Sequence, residues 1–159
     1  MAETNVVREL PKTGTYDDYV VLNPRDGLGM PLDECSPREL SPYGKDLVAA
    51  YLNRCGLKVI DRDWLVKGDA KVDLVALDGD CVVLVEVRTR LFGSTQAARS
   101  HDVDVDSRRR RRLQYEMLMW LAKHASFQEA RYDVVSVRVE NAHRSHVRHL
   151  VGVCTHHAR

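Results

Sequence analysis

The sequence has no hydrophobic run near the ~18–20 residues that span a bilayer, so we expect no membrane partner. Aromatic residues make up only 6% of the chain, which disfavours a protein that stacks on single-stranded bases. The four cysteines form no Cys-x-x-Cys pair, as is typical of a reduced intracellular protein. No apolar secretory segment follows Met1, so we expect a cytoplasmic location.

The net charge is also small, at +1, but it averages two unlike parts. Residues 1–40 contain four basic and eight acidic residues and hold four of the five prolines, whereas the rest contains 20 basic and 15 acidic residues. We therefore predict a flexible, acidic, proline-rich extension at 1–40 and one folded domain at 41–159. A short apolar patch, Tyr19–Leu22, is an alternative docking segment within that extension.

Hydrophobic periodicity in the domain predicts a helix, three strands, a second helix and one or two further strands. The first helix is expected to begin at Ser41 as N-cap and to end at Gly56, and the second to run from Asp106 or Ser107 to about His124. This order indicates an α/β fold with a mixed central sheet flanked by helices. The predicted strands are 57–64, 72–77, 81–87, 132–139 and 147–153.

The strand from Cys81 to Arg90 carries the strongest chemical signal. Because side chains alternate along a strand, Glu86, Arg88 and Arg90 share one face with the apolar Val82 and Leu84. An unpaired charge on a buried strand is costly, so Glu86 needs a partner or a function.

Asp73, on the preceding strand, is one candidate neighbour. If Gly79-Asp80 forms a two-residue hairpin loop, Asp73 faces Glu86 and Lys71 faces Arg88. A three-residue loop would instead place Asp73 opposite Val85. Converging carboxylates repel unless a cation separates them, and Mg²⁺ or Mn²⁺ suits carboxylate oxygens. A cross-strand cluster of ion pairs without chemistry explains the same spacing equally well.

One set of residues follows a recognisable order along the domain: Gly44, Leu47, Ala49, Tyr51-Leu52, Gly56-Leu57, Asp63-Trp64, Val72-Asp73-Leu74, Asp78, Val85 to Arg90, Phe92-Gly93 and Tyr132 to Val135. By these residues the chain resembles the YraN-like family of predicted endonucleases over residues 41–153. The family is similar to restriction-endonuclease-like nucleases of the PD-(D/E)xK type, which implies an αβββαβ core and a site that uses Mg²⁺ or Mn²⁺. By this resemblance Asp73 and Glu86 would be metal ligands and catalytic residues, with Arg88 at the position of the motif's lysine.

Three charged positions depart from the family pattern. Lys45 and Lys71 stand where the family usually carries glutamate, and Arg88 replaces a lysine. Arginine stays protonated near neutral pH, and two added lysines reduce the site's attraction for a cation. The resemblance therefore leaves two hypotheses open, a metal-dependent endonuclease and a degenerate nuclease that still holds phosphate.

Five consecutive arginines occupy the start of the second predicted helix, where the helix dipole disfavours cations. Phosphate contacts would explain them, so nucleic acid is the expected partner, with DNA as its expected form. A solvated face paired with Asp102, Asp104 and Asp106 is the alternative. The predicted nucleic-acid-binding residues are Arg108, Arg109, Arg110, Arg111, Arg112, Lys45, Lys71 and Arg90.

Three function hypotheses follow. The first is a nucleic-acid-acting protein that hydrolyses phosphodiesters if it is active. The second is a non-catalytic module that binds nucleic acid through the arginine run. The third is a protein-interaction domain whose acidic extension folds back over its own basic face. A histidine-based zinc site is disfavoured because His146 and His149 would lie on opposite faces of a strand.

Overall fold

A computed structural model describes residues 14–21, 37–68, 70–91, 105–141 and 144–157. Within these ranges, no helix is both long and apolar enough to cross a membrane. The elements follow the chain as β1 (Gly14–Val21), α1 (Pro37–Arg54), β2 (Lys58–Lys67), β3 (Ala70–Asp78), β4 (Cys81–Leu91), α2 (Ser107–Lys123), β5 (Glu129–Asn141) and β6 (Arg144–His157).

One six-stranded sheet organises these elements, in the order β1-β6-β5-β4-β3-β2. Strands β4 and β5 run parallel and are connected through α2, whereas all other neighbours are antiparallel. The predicted α/β class with a mixed sheet is confirmed, and the arrangement is compatible with a restriction-endonuclease-like core.

The sheet buries one apolar layer on each face. Helix α1 packs Leu47, Val48 and Leu52 on the face that carries Val83 and Val85. We call this layer the α1 core. Helix α2 packs its own apolar stripe on the opposite face, against Val82, Leu84 and Val134. Its stripe consists of Leu113, Met117 and Trp120, spaced for one side of a helix. The apolar half of β4 is therefore covered on both sides, as its sequence predicts.

The predicted start of α1 at Ser41 is wrong, because the helix begins at Pro37 and includes Pro42. Leu40 and Tyr43 are buried against the α1 core, and this packing compensates for the backbone hydrogen bond that Pro42 cannot donate. The predicted end is confirmed: the helix stops at Arg54, and Gly56 follows in the left-handed region at φ 85°.

The predicted flexible extension needs a correction at two places. Residues 14–21 form β1, which pairs antiparallel with β6, and residues 37–40 already belong to α1. The open edge of β6 offers unpaired backbone groups, so β1 can add to the sheet without a strong hydrophobic pattern of its own. Its Tyr16 packs against the α1 core. Three residues of the apolar patch 19–22 lie in this strand; Leu22 is outside the described residues.

Of the two loop lengths that the sequence left open, the structure has the two-residue hairpin between β3 and β4. Asp78 pairs with Cys81, and the register continues without a shift to Leu74 opposite Val85. Gly79 lies in the left-handed region at φ 58°, a conformation that a primed hairpin turn requires. In this register Asp73 and Glu86 are the next residues beyond the Leu74–Val85 pair, at the same end of the hairpin.

Candidate functional site

The regular pairing of β3 and β4 stops one residue before the two candidate carboxylates. Leu74 opposite Val85 is the last residue pair in this register. At the next position, the side chain of Asp73 replaces a backbone carbonyl as the hydrogen-bond acceptor. Its Oδ2 accepts a hydrogen bond of 2.8 Å from the backbone nitrogen of Val87. Asp73 therefore holds the strands together where their ladder ends.

The neighbouring strand β2 is also irregular at this level. Asp63, in register to face Asp73, has a φ of 54°, the left-handed region that few residues other than glycine adopt. Two carboxylates thus meet at adjacent irregular positions of β2 and β3. Both approach the same ammonium group, that of Lys45 in α1.

Lys45 is only 6% exposed, and its Nζ lies 2.5 Å from Oδ1 of Asp63 and 3.5 Å from Oδ1 of Asp73. Burial alone would lower the pKa of Lys45, but the hydrogen bond to Asp63 and the charge of Asp73 outweigh it, and the pKa is raised. Lys71 adds a second cation, with its Nζ 3.4 Å from the same Oδ1 of Asp63. The two lysines that depart from the family pattern therefore both place ammonium groups at the candidate site.

Asp73 itself is in a mixed environment. Burial raises its pKa, the Val87 amide and Lys45 lower it, and the charge of Glu86 raises it, so the net pKa is above its ordinary value. The pKa of Asp63, in contrast, is lowered by its hydrogen bond to Lys45. The ammonium of Lys45 thus stabilises the ionised form of Asp63 more strongly than that of Asp73.

Glu86 is engaged from the other side, by helix α2. Arg109 donates from Nη2 to Oε2 of Glu86, and Arg112 donates from Nη2 to Oε1 at 2.7 Å. These arginines are three positions apart, so they project from one side of the helix onto the carboxylate. The structure thus brings part of the predicted arginine run to a predicted catalytic residue.

Glu116 is a fourth carboxylate near this site, after Asp63, Asp73 and Glu86, and it was not predicted from the sequence. It is 6% exposed and accepts a hydrogen bond of 2.8 Å from the Tyr132 hydroxyl. Burial raises its pKa; Tyr132 and Arg112 lower it, whereas the charges of Glu86 and Asp73 raise it, so the net pKa is above its ordinary value. Its position, four residues after Arg112 on one helix face, is the sequence signal that could have identified it.

The remaining predicted residues lie around this centre. Arg88 and Arg90 follow Glu86 along β4 on the same face, both partly buried, and Arg90 donates to the carbonyl of Thr89. In α2, the side chain of Asp106 accepts a hydrogen bond from the Arg109 amide and caps the helix. The other predicted partners of the run, Asp102 and Asp104, lie outside the described residues.

The donor set does not fit a divalent cation in its present arrangement. Lys45 contacts Asp73, and two arginines contact Glu86, so each predicted metal ligand is already neutralised by a cation of the protein. Within the residues that the structure describes, no group of three or more His, Cys, Asp or Glu side chains is gathered to hold a metal. A metal would have to displace these cations before it could bind.

The mixed α/β sheet, with Asp73 and Glu86 at the end of its central hairpin, is compatible with a restriction-endonuclease-like core. Residues 44–137 match the family model described as "Uncharacterised protein family UPF0102". The chain belongs to this family.

Curated relatives carry the same family name. The chain is 35% identical over 115 residues to a UPF0102 protein of Rhodococcus opacus, covering 70% of this chain and 92% of the relative. It is 37% identical over 116 residues to one from Beutenbergia cavernae, covering 72% and 94%. A UPF0102 protein of Geobacter sulfurreducens is 33% identical over 127 residues, covering 76% and 94%.

Proposed function

We propose that this protein binds nucleic acid through phosphate contacts from the arginine run of α2, without cleaving it. The proposal rests on the difference between the contacts that the five arginines of this run make. Arg109 and Arg112 hold Glu86, whereas Arg108, Arg110 and Arg111 are exposed and form no ion pair with any described residue. Three cations are thus available to an external anion.

The position of these arginines supports a polyanionic partner. They occupy the first turns of α2, whose positive dipole end repels cations. The N-cap Asp106 offsets this in part, and no acidic residue lies in the first turn itself. A phosphate near this helix end would be favoured both by the dipole and by the guanidinium groups. The arrangement is therefore most favourable with an anion in place.

Lys45 supports binding without hydrolysis. Its ammonium lies beside Asp73, where a hydrolytic metal would need an unpaired carboxylate. Arg88 cannot act as a base near neutral pH. The site thus keeps a positive environment suited to phosphate and lacks free donors for a metal.

Fluorescence anisotropy with labelled single-stranded and duplex DNA tests the proposal. Substituting Arg108, Arg110 and Arg111 together by glutamine should weaken binding and flatten its salt dependence by about 0.7–0.9 in log–log slope per lost phosphate contact. Arg54→Gln, at the exposed C-terminal end of α1, is the matched control. Unchanged affinity in the triple variant would overturn the proposal.

Metal-dependent phosphodiester hydrolysis is the second candidate function. It is favoured by the register that brings Asp73 and Glu86 close enough for the charge of Glu86 to raise the pKa of Asp73. Incubation of the intact protein with DNA and Mg²⁺ or Mn²⁺ distinguishes the two functions. Cleavage that disappears in Glu86→Ala would establish the enzyme and contradict binding without cleavage.

A further inference from the structure

The side of α2 that faces away from the sheet carries a row of basic and apolar side chains. The row consists of Arg108, Arg111, Tyr115 and Leu118. Their spacings of three, four and three residues place them on one face of the helix. All four are exposed, on the side opposite the apolar stripe that packs on the sheet. We call these four residues the outer row.

Two members of the outer row are large and apolar. Tyr115 is 50% and Leu118 43% exposed, and the other exposed large apolar side chains of the described residues, Ile60 and Leu65, lie on the edge strand β2. A single exposed apolar residue needs no explanation. Two successive members of one helix face that continue a line of arginines form a local surface. The outer row thus changes along α2 from charged to apolar.

The spacing within the outer row matches the scale of a nucleotide chain. The helix rise of about 1.5 Å per residue separates Arg111 from Tyr115 by about 6 Å along the axis. One strand of a duplex advances only about 3.4 Å per nucleotide, and a strand whose bases are unstacked is longer per nucleotide. A phosphate at Arg111 and a neighbouring base at Tyr115 can therefore belong to the same unpaired strand.

An unpaired strand suits the apolar end of the outer row better than a duplex does. In a duplex the faces of the bases are covered by their neighbours in the stack, and a protein reaches only the backbone and the groove edges. Tyr115 and Leu118 would then lie against charged phosphates, which an apolar surface cannot solvate. An unpaired base instead offers the ring of Tyr115 a flat face on which to stack.

The arginines of the outer row favour a nucleic acid over an apolar protein surface. Arg108 and Arg111 form no ion pair with any described residue, and they lie at the positive end of the α2 dipole. An apolar partner over the whole row would bury both guanidinium groups without a counter-charge, which is costly. A nucleic-acid strand supplies phosphates for the arginines and a base for the ring.

We propose that the outer row binds an unpaired nucleic-acid strand, with phosphates on Arg108 and Arg111 and a base stacked on Tyr115. This inference rests on the proposed function and names its substrate class, which is single-stranded nucleic acid. The low aromatic content of the sequence disfavours extensive stacking, but one ring beside a basic helix end is enough for one base. Stacking tolerates any base, so no sequence readout is expected.

Fluorescence anisotropy of the full chain with a labelled DNA of about 20 nucleotides, single-stranded and duplex, tests the inference. Tyr115→Leu should weaken binding of the single strand about tenfold and leave duplex binding unchanged. Tyr115→Phe keeps the ring and should bind like the wild type. Ile60→Ala, which removes an exposed apolar side chain from β2, is the matched control and should also bind normally. Full single-strand affinity in Tyr115→Leu, or an equal loss for the duplex, would overturn the inference.

An abasic strand of the same length separates base stacking from a structural effect of the substitution. The wild type and Tyr115→Leu should bind this strand with equal affinity, because it offers no base to the ring. With the normal single strand, Tyr115→Leu should keep the wild-type log–log slope of affinity against salt, because no phosphate contact is lost. A tenfold difference that persists on the abasic strand, or a flatter slope, would contradict stacking.

Failure of this inference is distinguishable from failure of the proposed function. Loss of binding in the variant lacking Arg108, Arg110 and Arg111, with full single-strand affinity in Tyr115→Leu, refutes stacking and leaves the proposed function standing. Full affinity in both variants refutes both proposals. A protein partner on the outer row would also leave single-strand affinity unchanged in Tyr115→Leu, so that result counts against the inference.

Discussion

The ammonium nitrogen of Lys45 lies 3.5 Å from Oδ1 of Asp73, while it donates a hydrogen bond of 2.5 Å to Asp63. A cation from α1 therefore neutralises carboxylates from two adjacent strands at the candidate site. A divalent metal would meet this ammonium at close range, where the two cations repel each other. The positive charge at position 45 therefore opposes a metal at this end of the sheet.

We predict that Lys45→Glu creates a divalent-cation site. The substitution removes the internal cation and adds a carboxylate beside Asp63 and Asp73, an arrangement that Mn²⁺ and Mg²⁺ favour. Calorimetric titration should show saturable Mn²⁺ binding in the variant and none in the wild type. Without metal the variant should melt at a lower temperature, since its carboxylates repel, and Mn²⁺ should restore stability.

The matched control is Lys45→Met, which removes the charge and most closely keeps the length of the side chain. It adds no ligand and should therefore bind Mn²⁺ far more weakly than Lys45→Glu. Equal Mn²⁺ affinity in the wild type and Lys45→Glu would show that Lys45 does not protect the site. Loss of wild-type binding in Asp73→Asn would then identify Asp73 as a ligand.

We predict that Glu86→Gln strengthens DNA binding. The carboxylate competes with phosphate for Arg109 and Arg112, and its removal frees two guanidinium groups next to the exposed arginines. A gain of about fivefold, close to 1 kcal/mol, is expected in anisotropy measurements at low salt. A catalytic role for Glu86 instead predicts loss of metal-dependent cleavage with no gain in affinity.

Most of the fold could be predicted because its signals are local. The Asp-Gly-Asp turn set the hairpin register, and the apolar run of β4 identified a strand covered on both faces. The start of α1 was missed because Pro42 resembles a helix start, whereas tertiary packing of Leu40 extends the helix back to Pro37. Strand β1 was missed because it depends on the edge of a strand over 120 residues later.

The site was only partly predictable, for a related reason. Spacing along β3 and β4 allowed Asp73 to lie near Glu86 if the hairpin loop had two residues, but it did not assign the partners of either carboxylate. The contact of Lys45 with Asp63 depends on a left-handed residue in β2, and the contacts of Glu86 depend on how α2 packs. Side chains from different elements thus converge in ways that no single sequence window records.

We predict that Gly44→Ala destabilises the protein by about 1–3 kcal/mol, through overpacking. A Cβ at Gly44 would lie 1.7 Å from Oγ1 and 2.8 Å from Cβ of Thr89 on β4. Thr89→Ala removes the nearer atom and should recover part of the loss in the double variant. Additive losses in chemical denaturation would contradict a direct contact between these positions.

A buried network joining α1, β5 and β6 predicts unequal losses of stability. Tyr51 contacts Nδ1 of His149 at 3.0 Å, and Nε2 of His149 lies 2.7 Å from Oδ2 of Asp133. Asp133 also accepts hydrogen bonds from Arg131 and from the backbone N–H of Gly152.

Tyr51→Phe should lower the free energy of unfolding by about 1 kcal/mol. Asp133→Ala should cost about 3–5 kcal/mol. It removes a fully buried carboxylate that lies 3.1 Å from Arg131, which keeps its contact with the more exposed Asp78, and it leaves His149 and the Gly152 amide without their acceptor. Equal losses in urea denaturation would contradict this network.

Glu116 gives a prediction that depends on pH. Its pKa is raised, so the folded state retains the proton where the unfolded chain has already lost it. The neutral form therefore favours folding at low pH, and this contribution is lost as the pH rises through the folded pKa.

The Glu116→Gln variant stays neutral at every pH and can still accept a hydrogen bond from Tyr132. It should raise the melting temperature above that pKa, with the difference shrinking as the pH falls below the ordinary glutamate value. Melting curves from pH 3 to 8, with exposed Glu129→Gln as control, test this; a difference that grows toward low pH would show that Glu116 is stabilised as a carboxylate.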